Sequence, residues 1–156
     1  MRKDLAVPGR ACGPCSACCT ALGVNDLVPP KRDWETCRFV QAGGGCACYT
    51  DRPPTCRSYS CFWREGIGLD EHRPDIVGLI LEPWKAPDGG TGIVAREVIP
   101  GAFRSRAGEE LLAPIAERMA VLVVFPDGRR TCIGPIPRLR AITAAVDRAK
   151  AAGPLA

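Results

Sequence analysis

Ten cysteines stand in this chain of 156 residues, and nine of them, Cys12, Cys15, Cys18, Cys19, Cys37, Cys46, Cys48, Cys56 and Cys61, fall within fifty residues. Only Cys132 lies outside that stretch. The sharpest grouping is Cys12-Gly13-Pro14-Cys15-Ser16-Ala17-Cys18-Cys19. Two residues between cysteines let a tight turn present both sulfurs to one ion, and Gly13-Pro14 suits that turn. A single C-x-x-C reads equally as a redox pair or a chance pair. Four cysteines in eight residues point to metal ligation instead.

Disulfides are the competing chemistry. Residues 1–10 carry basic side chains with no apolar stretch behind them, so no signal peptide is read there. The chain is therefore expected in the reducing cytoplasm, where thiols stay free and dense clusters are metal ligands. Adjacent Cys18 and Cys19 add to this, because a bond between sequence neighbours forces strained geometry.

The metal is zinc or iron. Two C-x-x-C spacings also open the bacterial ferredoxin run, but its fourth cysteine followed by proline is missing, so an iron–sulfur cluster would need a distant ligand such as Cys56 or Cys61. Zinc would need two sites, because the neighbouring side chains of Cys18 and Cys19 do not readily share one tetrahedron. Eight cysteines, Cys12, Cys15, Cys18, Cys19, Cys37, Cys46, Cys56 and Cys61, divide into two sites of four thiolates, and that count favours two zinc ions.

The second block runs Gly45-Cys46-Ala47-Cys48-Tyr49-Thr50-Asp51-Arg52-Pro53-Pro54-Thr55-Cys56-Arg57-Ser58-Tyr59, then Cys61-Phe62-Trp63. Together with the CxxCxxCC signature it resembles the YkgJ-type cysteine-cluster family, described as zinc- or iron-chelating domains. The family pairs that signature with G-C-x-[IV]-Y-x-x-R-P-x-x-C-R-x-[YF]. Gly45, Cys46, Tyr49, Arg52, Pro53, Cys56, Arg57 and Tyr59 match it in register. Trp34 to Cys37, Cys61-Phe62-Trp63 and an Arg73-Pro74-Asp75 entry to a strand are similar to a short subgroup. The specific motifs cover residues 12–63. The resemblance implies metal binding; in the wider family some members are linked to protein lysine methylation, which implies modification of another protein as a rival role.

Cys48 departs from the family, which has an apolar residue there, and reads as a small buried hydrophobe rather than a ninth ligand. Cys132, alone in an expected strand, reads as core. Arg52 and Arg57 are expected to face the cluster sulfurs and offset their charge, with a surface ion pair to Asp51 as the alternative. Tyr49 and Tyr59 read as packing residues, and His72, between Glu71 and Arg73, as solvated. One histidine leaves no material for a Cys–His dyad or a His-rich catalytic zinc site. No Walker or dinucleotide-binding glycine pattern occurs. No catalytic residue is assigned, and the chain is read as a binding module rather than an enzyme. The rivals are an iron–sulfur enzyme acting on a protein or small molecule, and an adaptor with purely structural zinc.

A net charge of +4 invites a nucleic-acid partner, but its distribution does not. Residues 1–66 hold nine Lys/Arg against six Asp/Glu, and residues 67–156 hold twelve against eleven. The excess sits with the cysteines, where eight bound thiolates and two divalent ions would turn it slightly negative. There is no long basic run, and Phe, Trp and Tyr total nine, so no stacking platform is read. No apolar run reaches the roughly 18 residues a membrane span needs. Metal ions are the expected partners, with a protein partner possible on the C-terminal half.

Composition divides the chain near residue 66. Before it, Pro29-Pro30, Gly43-Gly44-Gly45 and Pro53-Pro54 break the backbone into loops that cannot build an apolar core, so metal must supply the folding free energy. After it, strands are expected at 75–84 and 92–99 around the turn Pro87-Asp88-Gly89-Gly90, and at 120–125 and 130–133 around Pro126-Asp127-Gly128. Helices are expected at 108–119, where Pro114 is awkward outside the first turn, and at 137–152, stopping at Gly153. The expected fold class is α+β: a cysteine-rich, loop-dominated segment (1–66) packed on a small antiparallel sheet with both helices on one face (67–156). The two parts are expected to form one cooperative unit with Trp63 and Trp84 near the junction.

Overall fold

The computed structural model describes residues 6–152, so the expected stop at Gly153 lies outside the described residues. The chain is α+β, with a four-stranded mixed sheet in the order β1-β2-β3-β4. β1 (Leu79–Lys85) and β2 (Thr91–Glu97) pair antiparallel across the Pro87–Gly90 turn, and β3 (Val121–Val124) and β4 (Arg130–Ile133) pair antiparallel across Pro126–Gly128. Both hairpins lie where the turn chemistry places them.

The sheet is not wholly antiparallel, because β2 and β3 run parallel, with Ile93 opposite Val121 and Ala95 opposite Val123. A parallel step needs a long crossover. Residues 98–120 supply it, with a 3₁₀ turn at Ala102–Arg104 and helix α4 (Arg106–Ala116). Ser105 caps α4, its hydroxyl accepting from the Gly108 N–H at 3.0 Å, so the helix starts earlier than Gly108. Pro114 sits late in α4 and faces solvent, so the carbonyl of Glu110 that it leaves without an amide partner is at an exposed residue.

Side chains alternate across a strand, and here both faces are used. Leu79 and Leu81, Ile93 and Ala95, and Val121 and Val123 form the main core with Leu111 and Leu112 of α4. Ile80 points the other way, 1% exposed, into a second cluster with Ala17, Ala21, Cys61 and Trp63. Trp84 and Cys132 lie on that same opposite face, with Ala86, Ala120 and, from α5 (Ile136–Ala151), Leu139 and Ile142. The two long helices therefore flank opposite faces of the sheet. Trp63 stands at the junction of the two parts as expected, whereas Trp84 packs beside α5. Cys132 is a partly exposed strand residue against that third cluster, away from the other thiols.

The Arg73-Pro74-Asp75 stretch is not strand. Pro74 fixes the first position of a short helix, α3 (Pro74–Val77), and Gly78 ends it in the left-handed region, so the strand begins at Leu79. Among the described residues of the cysteine-rich part, regular structure is limited to α1 (Ala17–Ala21), α2 (Pro54–Ser58) and two isolated bridges, Val24–Lys31 and Val40–Cys46. Among the described residues no helix is long and apolar enough to cross a membrane.

Candidate metal centre

Each cysteine is placed by a backbone contact that its neighbours make. The Cys15 N–H donates to the Cys12 carbonyl at 2.8 Å, closing the Gly13-Pro14 turn. Arg10 anchors that turn to the segment after Cys61. Its guanidinium donates to the Trp63 and Gly68 carbonyls, both at 2.8 Å, and lies 5.2 Å from the Trp63 ring centre. The Val7 N–H adds a bond to the Arg64 carbonyl at 2.8 Å. Cys18 and Cys19 sit on α1, whose Ala17 and Ala21 are buried one turn apart against Ile80. Cys18 and Cys19 are neighbours on α1, and their thiols lie close to each other.

The Cys37 N–H donates to the Cys19 carbonyl at 2.8 Å. The Val40–Cys46 bridge and the bond from Ala47 N–H to the Phe39 carbonyl, also 2.8 Å, then fold Cys46 and Cys48 back beside Cys37. Gly44 and Gly45 permit this close approach. Both have positive φ, and a Cβ on Gly44 would stand 2.2 Å from the Pro14 carbonyl oxygen. Cys56 rides on α2, where Asp26 accepts from the Thr55 N–H at 2.8 Å and ties the helix start to the preceding loop.

All eight residues marked by sequence line one cavity of about 440 Å³, and Cys48 lines it with them. Cys48 is therefore not a buried core residue: it is partly exposed, and its sulfur lies 3.6 Å from that of Cys46. One residue between two cysteines in the Cys46–Cys48 turn sends both sulfurs to the same side. The missed signal was that spacing, which was outweighed by the apolar residue expected at the position.

Burial dominates the electrostatics of the cavity. It pushes the Cys15 thiol up to about 12 and also raises Cys61 and Cys56. Cys18 is raised, first because it donates its proton to Cys19 and then by burial. Cys19 accepts that hydrogen bond and is brought down to about 7, helped by the cations of Lys31 and Arg52. Lys31 was not anticipated. It is 4% exposed, and its ammonium donates to the carbonyls of Leu22 and Arg32, so a buried cation is fixed beside the cluster.

The charge neighbours fall into two sets. Cys18 feels Cys19 first and then Cys12 and Cys15, and Cys61 feels Cys12. Cys56 feels Cys19, Cys37 and Cys46, and Cys48 feels Cys46 and Cys37. Cys18 and Cys19 are the seam between the sets.

Arg52 lines the cavity, its Nε donating to the Tyr49 carbonyl at 2.8 Å while the guanidinium stacks 3.8 Å from the Tyr49 ring centre. Arg57 is exposed and does not line the cavity. Tyr49 is 42% exposed and acts as the platform for Arg52 rather than as core. Tyr59 packs against the Ile80 cluster. His72 is buried, not solvated: its Nδ1 accepts from the Leu69 N–H at 3.0 Å, closing the turn Asp70–His72. It does not line the cavity.

Among the described residues no three His, Cys, Asp or Glu side chains converge closely enough to hold a metal ion. The fit to a metal is one of donor chemistry and neighbourhood. Nine soft sulfur donors face one cavity, a set that suits zinc or iron–sulfur chemistry. The hydroxyl of Ser60, in the wall beside Cys61, is buried without a hydrogen-bond partner among the described residues, and a thiolate would satisfy such a donor. Drawing the sulfurs together falls to the loops that carry them. No family model matches this chain, and neither does any curated protein or solved structure.

Proposed function

We propose that this protein is a cytoplasmic metal-binding module that coordinates zinc through the thiolates of Cys12, Cys15, Cys18, Cys19, Cys37, Cys46, Cys56 and Cys61. The observation that carries the reading is the gathering of these eight side chains, from four separate stretches of chain, around one cavity. A cavity that served only packing would be lined by aliphatic side chains, since nine free thiols crowded together cost the chain in oxidative liability. The resemblance to the YkgJ-type family points the same way. When bound, the metal would supply the cross-links that residues 6–66 lack, with only two five-residue helices and two isolated bridges among them.

This chain's own residues do the rest. Lys31 and Arg52 hold positive charge against the thiolates, and the Cys18–Cys19 hydrogen bond favours the thiolate form of Cys19. The Ile80 face of the sheet keeps water from the side of the cavity nearest Cys61. The sheet and its helices serve as scaffold, and a protein partner would dock there. No residue of the cavity is assigned a catalytic role.

Elemental analysis and an optical spectrum of protein purified without oxygen test the reading. About two zinc ions per chain are expected, by the count of four thiolates per ion. Visible absorption with iron and sulfide would replace zinc with an iron–sulfur cluster. A folded, metal-free protein with its cysteines in disulfides would overturn the proposal.

A further inference from the structure

Resting on the metal-binding reading above, we infer that the nine clustered thiols form two separate sites. Cys12, Cys15, Cys18 and Cys61 make the first; Cys19, Cys37 and Cys56 make the second with either Cys46 or Cys48 as an interchangeable fourth ligand.

The backbone divides the thiols this way. Arg10 and Val7 fasten the chain just before Cys12 to the chain just after Cys61, through the carbonyls of Trp63, Arg64 and Gly68. Cys15, Cys18 and Cys61 then pack in one apolar cluster with Ala17, Trp63 and Ile80. Cys19 stands outside that cluster. It is bound through its carbonyl to Cys37, and the Val40–Cys46 bridge brings Cys46 and Cys48 to Cys37. Cys18 and Cys19, neighbours on α1, stand where the two sets meet.

The second set holds one sulfur more than four-coordinate zinc accepts. Cys46 and Cys48 are 3.6 Å apart, both partly exposed and both at the same cavity. With their sulfurs so close together, either could take the same place in the second set. Exchange between them balances simply: the incoming thiol loses its proton to solvent as its bond to the ion forms, and the outgoing thiolate takes a proton as its bond breaks. The first set has no such spare and lies against the apolar cluster, so it should be the slower of the two to release its ion.

The test uses the full-length protein purified without oxygen. A chelator is added together with a thiol-alkylating reagent, and the labelled cysteines are read by tandem mass spectrometry as zinc is released. Two phases of equal zinc are expected, with Cys19, Cys37 and Cys56 labelled in the first and Cys12, Cys15, Cys18 and Cys61 in the second. Before chelation, label should divide between Cys46 and Cys48. Labelling of Cys18 and Cys19 in the same phase would overturn the partition while leaving metal binding intact, and so would a single cluster per chain. Protein without metal would overturn the metal reading itself, and this inference with it. Variants supply an independent count: C46S should keep both zinc ions, C46S/C48S should lose one of two, and C12S/C61S should also lose only one. Loss of zinc from C46S alone would remove Cys48 from the second site.

Discussion

Residues 6–66 and residues 67–152 are built on opposite principles, although they share one sheet face. The first part has short helices, two isolated bridges and a cavity walled by sulfur. Its order comes from single hydrogen bonds at chosen points: Arg10 to Trp63, Asp26 to Thr55 and Cys37 to Cys19. The second part has continuous strand ladders and a layered core in which Leu79, Leu112, Val121 and Val123 are almost wholly buried. Apolar burial at roughly 25 cal/mol per Å² stabilises that core without help. A loop segment with little apolar surface has no equivalent and depends on cross-links. Ile80 is the point where the two meet, because period two in β1 gives the same strand a neighbour in each part.

The largest effect that would sharpen this contrast is metal removal. Chelation is expected to abolish hydrogen-exchange protection throughout residues 6–66 and to lower it in β1 and β2, whose Ile80 and Arg96 face the cysteine-rich part. Full protection of β1 and β2 while residues 6–66 open would show that the two parts are independent domains. Next comes Ile80→Ala, which should cost about 2–5 kcal/mol in chemical denaturation, as for other fully buried aliphatic truncations. It should also speed zinc loss, whereas Leu112→Ala should destabilise as much and leave zinc retention near wild type. Equal zinc loss from both would erase the distinction between the faces.

Gly44→Ala is a smaller and more local perturbation. Its positive φ and the Cβ position 2.2 Å from the Pro14 carbonyl oxygen predict a cost of about 1–3 kcal/mol. Alkylation of Cys46 and Cys48 in the metal-loaded protein should accelerate, because the loop must back away from the Gly13-Pro14 turn. Cys132→Ala should leave zinc content unchanged and cost at most about 2 kcal/mol, being a partly exposed residue at the third cluster. Metal loss from that variant would bring Cys132 into the site.

The smallest effect is one of pH in the β3–β4 turn. The Arg129 side chain, donating to Asp127 at 2.6 Å, holds the Asp127 carboxyl below the usual carboxylate range. A depressed carboxyl stabilises the fold above its unfolded value, and that contribution disappears as pH falls through the lower folded value. Carbon NMR should therefore show Asp127 titrating below about 3.9, the ordinary aspartate value. The cysteine-rich part should respond at higher pH, since protonation competes with metal for thiolates. A normal Asp127 titration would break this side of the comparison.

What sequence alone determined was local. Turn chemistry at Pro87–Gly90 and Pro126–Gly128 placed both hairpins, and period 3.6 placed α4 and α5 to within a few residues, since each of these signals is complete within its own stretch of chain. Cysteine density and spacing marked the candidate ligands for the same reason. The tertiary structure alone decided what depends on distant partners. The crossover through α4 made β2 and β3 parallel, and the pleat sent Ile80 and Trp84 to the face opposite Leu79, so that α5 packed across the sheet from α4. Burial of Lys31 beside Cys19 and burial of His72 belong to the same class. None of these could be read from neighbouring residues, because burial and charge environment are set by whichever segment the folded chain lays against a side chain.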